Sequence, residues 1–225
     1  MSSPIAVVVG AGGELGGPVA RNLIGSGYSV VAVDRNGESL DGLPDEVRRE
    51  AVDASDPAVA GPLMERVVQD VGVPDVLVNT LGAFFPGPAV AATPAEFQTL
   101  IDVNLGAALW LSQAVAPHMG ERGSGVIVHV SARPGIDPTA GLAAYSASKA
   151  ALIQLTRVLD VELRPTGIRV NCVVPQLLNT KLNREFLPQE VLDTAVAPEA
   201  IAEIIAFLVS DAAAPISGAI LPAYG

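Results

Sequence analysis

The stretch Ile5 to Gly27, "IAVVVGAGGELGGPVARNLIGSG", decides how this chain folds. An unbroken run of small and β-branched residues leads straight into Gly10, Gly12, Gly13 and Gly16, and a helical pattern follows at once. Strand side chains alternate between two faces, so a run that is apolar at every position suits a strand covered on both sides. Glycines at the junction permit a tight turn and let backbone amides approach a pyrophosphate at the helix N-terminus. A tight turn alone also explains such glycines, so the rest of the chain has to carry the reading.

Working outward, short β-branched runs recur: "SVVAVD" (29–34), "VRREAVD" (47–53), "DVLVN" (75–79), "GVIVHVS" (125–131), "GIRVNCVV" (167–174) and a closing "GAILPA" (218–223). Longer helical patterns or loops separate them. This alternation predicts an α/β fold, a Rossmann-type doubly wound three-layer αβα sandwich, its sheet mostly parallel with about seven strands. Helix starts are written as Asp56-Pro57 and as Thr93-Pro94-Ala95-Glu96, the latter a capping box with proline at the first helical position. No linker divides the chain, so residues 1–225 are expected to form one domain. The irregular segment 176–196 is expected to be a substrate lid.

Half of the 225 residues are apolar, 16% are charged and 4% are aromatic, a composition that builds its core from Ala, Val, Leu and Ile. The net charge of −11 is spread without a basic stripe, which argues against a nucleic-acid partner. Cys172 is the sole cysteine, lies among apolar neighbours and reads as a packed thiol. The N-terminal "MSSPIAVVVGAGG" lacks a basic start, and no apolar run approaches the ~18 residues of a membrane span. The chain is therefore expected to be cytoplasmic, with no membrane partner and a small molecule as its substrate.

Two further features suggest chemistry. Asp34 closes the second strand, where a carboxylate accepts hydrogen bonds from both hydroxyls of an adenosine ribose, which points to NAD. The same charge would repel the extra phosphate of NADP, although Arg35 offsets part of that, so NADP is the less favoured cofactor. In "YSASKAAL" (145–152), Tyr145 and Lys149 are four apart and share one helix face. A nearby ammonium, joined by a positively charged nicotinamide, favours the phenolate of a tyrosine, which would let Tyr145 exchange a proton with a carbonyl or alcohol oxygen.

With these motifs in this order the chain resembles the short-chain dehydrogenase/reductase family over essentially its whole length. The resemblance implies a cofactor cradle at Gly10, Gly13, Leu15 and Gly16, with Asp34, Asp53 ("VDASDP") near the adenosine and Asn79 ("VNTLG") after the fourth strand. It implies catalytic roles for Tyr145, Lys149 and Asn104 ("DVNLGAAL"). In the family the lysine also bonds the nicotinamide ribose, the asparagine belongs to a proton-returning water chain, and a threonine, here Thr180, holds the nicotinamide amide. It further implies a homodimer or homotetramer, for which the Ala-rich segments 103–117 and 150–163 are suited.

The chain also departs from the family. The serine that holds the substrate oxygen stands thirteen positions before the tyrosine, and that position is Ala132. Ser131 is one residue early and should face away from the cleft. Glu14 replaces a glycine of the turn, Gln176 replaces the glycine after Pro175, and "LPAYG" ends the chain. Alanine in place of the serine and the "GAGGELG" turn give some likeness to dihydropteridine reductases. The leading expectation is an NAD(P)-dependent oxidoreductase acting on a carbonyl, an alcohol or an activated ring. The alternatives are a non-redox lyase, isomerase or cyclase on the same fold, or a nucleotide-sensing protein whose cleft has decayed. Phe84, Phe85, Arg133 and the leucines of 177–187 are candidates for the substrate wall. His118 and His129 read as structural, and no ligand spacing suggests a metal.

Overall fold

The structure is a computed structural model that describes residues 3–225, the side chain of Leu182 excepted. In chain order the elements are β1 (Ile5–Val9), α1 (Gly16–Gly25), β2 (Ser29–Asp34), β3 (Arg48–Ala51), α2 (Pro57–Asp70), β4 (Val76–Asn79), α3 (Pro94–Ile101), α4 (Ala107–Arg122) and β5 (Gly125–Val130). They continue with α5 (Ala143–Leu163), β6 (Ile168–Pro175), α6 (Lys181–Phe186), α7 (Gln189–Leu192), α8 (Pro198–Val209) and β7 (Ile220–Ala223). Every strand anticipated from the sequence forms. The third contracts to its central residues because it lies at an edge.

The strands form one sheet in the order β3-β2-β1-β4-β5-β6-β7, and every pairing is parallel. From β1 the chain winds outward through β2 and β3, then returns to lay β4 on the other side of β1. At that reversal the connections leave in opposite directions and open a crevice beyond the carboxyl ends of β1 and β4. The alternation inside each strand explains the layers. Ala6, Val8, Ala32, Val78 and Val128 pack with α1 and α8, whereas Val7, Val9, Val33, Leu77 and Ile127 pack with α2 and α4. These residues are buried on both faces, and each fully buried valine or leucine contributes roughly 1.5–3 kcal/mol. Pro222 is tolerated in β7 because that strand is an edge.

The anticipated caps are present. Asp56 accepts from the Ala58 amide at 2.8 Å, and Thr93 and Glu96 form the reciprocal capping box. A π-helical turn, Asp102–Gly106, joins α3 to α4 in a 29-residue helical run. One 18-residue window of that run has a mean hydropathy of 1.2, enough by length and composition to cross a membrane. No continuous apolar run marks it in the sequence, because Asp102, Asn104, Ser112 and Gln113 interrupt its apolar residues. In the fold Leu111, Val115 and Met119 are fully buried in the core on the α2 side of the sheet, and 39% of that window is buried.

Candidate active site

The turn between β1 and α1 is built so closely that its glycines are compulsory. Gly10 has φ +82°, and a Cβ there would also lie 2.7 Å from Thr80 Oγ1. A Cβ on Gly16 would lie 2.0 Å from the carbonyl oxygen of Gly10, a backbone atom that cannot move aside. The N-terminus of α1 carries no side-chain cap and no acidic residue in its first turn. Gly17 donates to the Gly13 carbonyl at 2.9 Å and Pro18 has no amide proton, but the amides of Leu15 and Gly16 are unbonded among the described residues and can meet an anion, the condition a pyrophosphate requires. Glu14 does not spoil this: its Oε2 accepts from the backbone amide of Lys181 at 2.6 Å, so the carboxylate is turned toward α6.

Two cavities lie along the crevice and share the wall Thr80–Phe84. The first, about 490 Å³, is bordered by Gly10, Gly13, Asp34, Arg35 and Asp53. Asp34 accepts from the amides of Gly12 and Asn36, each at 3.1 Å, which aims its carboxylate at the glycine turn. Asp53 accepts from the Ser55 hydroxyl at 2.6 Å and from its amide at 3.0 Å. The hydroxyl bond is the main cause of its carboxyl being held below the ordinary value. Asn79 stands apart from both walls; it is buried, and its Oδ1 accepts from the Leu81 amide at 3.1 Å. It shapes the turn that makes the wall.

The second cavity, about 340 Å³, is bordered by Leu15, Ala132, Tyr145, Lys149, Gln176 and Thr180 among others. Tyr145 and Lys149 come together on the first turns of α5, as their spacing predicts. Tyr145 is half-buried, with the Phe84 ring edge-on at 4.9 Å. Lys149 is buried, and its Nζ donates to the Val130 carbonyl at 3.0 Å. The ammonium by itself does not bring the phenol down. Burial pushes Tyr145 up to about 12 from 10.0, and among the described residues no hydrogen bond joins it to Lys149, which spends its ammonium on the carbonyl. Burial brings Lys149 down to about 8.

Asn104 sits in the π-helical turn and is buried. Its Oδ1 accepts from the Ala83 amide at 2.8 Å, and its Nδ2 donates to the Ala83 carbonyl at 3.0 Å and to Ser148 Oγ at 2.9 Å. Ser148 in turn donates to the Tyr145 carbonyl at 2.7 Å. Both amide hydrogens are thus occupied, and Asn104 braces the Gly82–Ala83 wall against the helix that carries Tyr145. Ser131 borders the cavity beside Ala132, contrary to the expectation that it lies clear of it, but its hydroxyl is engaged, donating to the Lys149 carbonyl at 2.9 Å.

Thr180 borders the second cavity and caps α6, accepting from the Asn183 amide at 3.2 Å. Leu177, Leu178 and Phe84 belong to the second wall, and Phe85 to the first. Arg133 does not border either cavity, which corrects its assignment to the substrate wall. Its guanidinium is bound elsewhere, to Asp137 at 2.8 Å and to Gln176 Oε1 at 2.9 Å, and lies 4.8 Å above the Tyr224 ring. The Arg133–Gln176 and Glu14–Lys181 contacts join residues 43 and 167 positions apart, and no periodicity or motif signals them.

The histidines and the cysteine lie outside the cavities. His118 meets Glu65 at 3.4 Å on the surface. His129 is fully buried in β5, its Nε2 3.2 Å from Ser112 Oγ. Ser112 gives its own proton to the Ala108 carbonyl, so His129 Nε2 must be the donor, and Nδ1 has no partner among the described residues. Burial, then the Lys149 charge, bring His129 down to about 4. Cys172 is fully buried, and burial raises its thiol to about 11.

A parallel doubly wound sheet, a glycine turn at its first crossover and a crevice at its winding reversal define a Rossmann-type α/β protein. The NADP-bound structure of ElxO shares this fold, with a TM-score of 0.91 over 98% of this chain and 96% of that one at 22% identity. The profile described as short chain dehydrogenase matches residues 4–191, and the chain belongs to that family. It is 31% identical to the 4-formylbenzenesulfonate dehydrogenase of Comamonas testosteroni, covering 100% of this chain and 98% of the relative. A solved protein from Burkholderia xenovorans, described as a short-chain dehydrogenase/reductase, is also 31% identical, with a TM-score of 0.93 over 99% of this chain and 95% of that one.

Proposed function

We propose that this protein is a nicotinamide-dinucleotide-dependent oxidoreductase acting on a small carbonyl, alcohol or activated-ring substrate, with Tyr145 as its acid/base. The observation that carries this reading is the convergence of Tyr145 and Lys149 on a cavity whose wall continues to the uncapped glycine turn. When bound, the nicotinamide would supply or accept the hydride. Gly10, Gly13, Leu15 and Gly16 would hold the dinucleotide, with Asp34 and Asp53 at the adenosine end, Thr180 and Lys149 at the other, and Asn79 shaping the wall between. What supports NAD over NADP is the Asp34 carboxylate, fixed by two backbone amides on the side where an added phosphate would lie. ElxO binds NADP, but its likeness to this chain is one of fold.

The chain's own residues divide the work. Within the crevice Tyr145 holds its proton firmly, so in reduction it is ready to donate to the substrate oxygen. In oxidation it must first lose that proton, which requires a nearby positive charge. Lys149 can provide one by turning from the Val130 carbonyl toward the crevice. Asn104 keeps Tyr145 and the Ala83 wall in register, and the leucines and Phe84 exclude water. Segment 176–196 would act as a lid within a single domain.

The test is consumption of NADH or NADPH, followed by the absorbance of the reduced nicotinamide, across ketones, aldehydes, quinones and dihydropterins. Turnover favouring NADH is expected; no turnover of any class by protein that binds cofactor would refute the reading. Ala132 favours one second reading, a non-redox lyase or isomerase using Tyr145 alone. Product formation by protein stripped of dinucleotide would decide for it.

A further inference from the structure

We propose that Gln176 supplies the substrate hydrogen bond that Ala132 cannot, a role that rests on the oxidoreductase reading above. The register of the sheet places it. Val130 pairs with Val173, and Pro175 with Ala223. Continued past the strand ends, that register sets Arg133, Gln176 and Tyr224 in one row across the mouth of the crevice. Neighbouring strands lie about 4.8 Å apart, so Gln176 begins within one strand spacing of the residue that follows Ala132.

The chemistry of the row fixes which end of the amide is free. Arg133 only donates, so the Gln176 atom 2.9 Å from its Nη1 is the oxygen. Asp137 holds the other edge of the guanidinium at 2.8 Å, and the Tyr224 ring supports its face. With Oε1 pinned, the two hydrogens of Nε2 have as partners among the described residues only the carbonyl and hydroxyl of Thr194, each at 3.4 Å. Bonds of that length are weak and readily exchanged for a closer acceptor. Gln176 also borders the cavity that holds Tyr145 and Ala132. Three departures from the family pattern, Ala132, Gln176 and the Tyr224 tail, therefore meet at one place and compensate one another.

This arrangement selects a substrate class. Lys149 is the sole charged residue on the described wall of the cavity, and Ala132, Phe84, Leu177 and Leu178 give it an apolar body. The site suits an uncharged carbonyl compound whose oxygen accepts from Tyr145 and from the Gln176 amide together. Arg133 is a positioning residue, because it acts through the orientation of that amide.

The experiment compares wild type, Gln176→Ala, Ala132→Ser and the double variant on the carbonyl panel, with cofactor affinity followed by nicotinamide fluorescence. Loss of one oriented donor costs ~10²–10³ in kcat, and a half-exposed neutral amide should fall below that range, at about 10- to 100-fold. Cofactor affinity should not change. Ala132→Ser should recover most of the loss in the Gln176→Ala background yet add little to wild type, since both donors serve one oxygen. Arg133→Ala should lower kcat by a smaller factor, and Ala132→Ser should rescue that variant too. Active wild type with an unaffected Gln176→Ala, or additive effects in the double variant, would overturn the proposal alone. No turnover by any of the four proteins, each binding cofactor, would overturn the oxidoreductase reading and this proposal with it.

Discussion

His129 offers a quantitative test of how the sheet and the crevice are joined. Its Nε2 donates to Ser112, its Nδ1 has no partner among the described residues, and it is fully buried, so a second proton would be placed where none of them receives it. Its folded value of about 4 lies below the unfolded 6.5. Above 6.5 both states are neutral and no penalty arises. As the pH falls from there toward 4, the unfolded chain takes up a proton that the native chain refuses, and stability declines. At about 1.4 kcal/mol per pH unit, the gap corresponds to a loss of about 3 kcal/mol. Every other acid-titrating group contributes as well, so the measurement is a difference. Wild type and His129→Gln, which keeps a donor for Ser112 but does not titrate, are unfolded with urea from neutral pH down to about 4 at one protein concentration. The wild-type advantage should shrink by about 3 kcal/mol across the range. A difference that stays flat would refute the reasoning and imply that the histidine finds an acceptor or solvent.

Three other expectations concern the crevice and the assembly. Gly16→Ala would drive a Cβ into the Gly10 carbonyl, so it should cost at least ~1–3 kcal/mol of stability and weaken cofactor binding, both readable by urea unfolding and fluorescence titration. Glu14→Ala removes the contact between the glycine turn and the first residue of α6; cofactor should leave roughly fivefold faster in stopped flow, equivalent to about 1 kcal/mol. The outer faces of α4 and α5 carry Trp110, Leu109 and Leu163 around a groove of about 710 Å³, and Val161 on α5 is 72% exposed. Light scattering should accordingly give the mass of two or four copies, and a monomeric mass would refute that expectation.

The fold was legible because its signals are local. Each strand is a run of β-branched residues, Asp56 and Thr93 mark helix starts by their own side chains, and the positive φ of Gly10 and the close approach of Gly16 to it belong to one turn. The Tyr145/Lys149 pair was legible because helical spacing alone puts both residues on one face. The electrostatics of that pair were not. Whether the ammonium reaches the phenol depends on the Val130 carbonyl, which strand order brings beside α5. Asn104 could be picked out by resemblance, yet its bracing of Ala83 and Ser148 depends on a π-helical turn that periodicity does not reveal. The direction Glu14 takes could not be read in the sequence, because its partner Lys181 lies in a segment far along the chain. The Arg133–Gln176–Tyr224 row depends on the register of three strands, which only the sheet supplies.

The central claim is that one phenol exchanges the reaction proton beside a bound dinucleotide. Tyr145→Phe removes that oxygen and leaves the ring, its contact with Phe84 and the rest of the crevice in place. Rates of NADH oxidation with a responsive carbonyl substrate should fall at least ~100-fold while cofactor affinity holds at the wild-type value. A Tyr145→Phe variant that turns over like wild type would contradict the account.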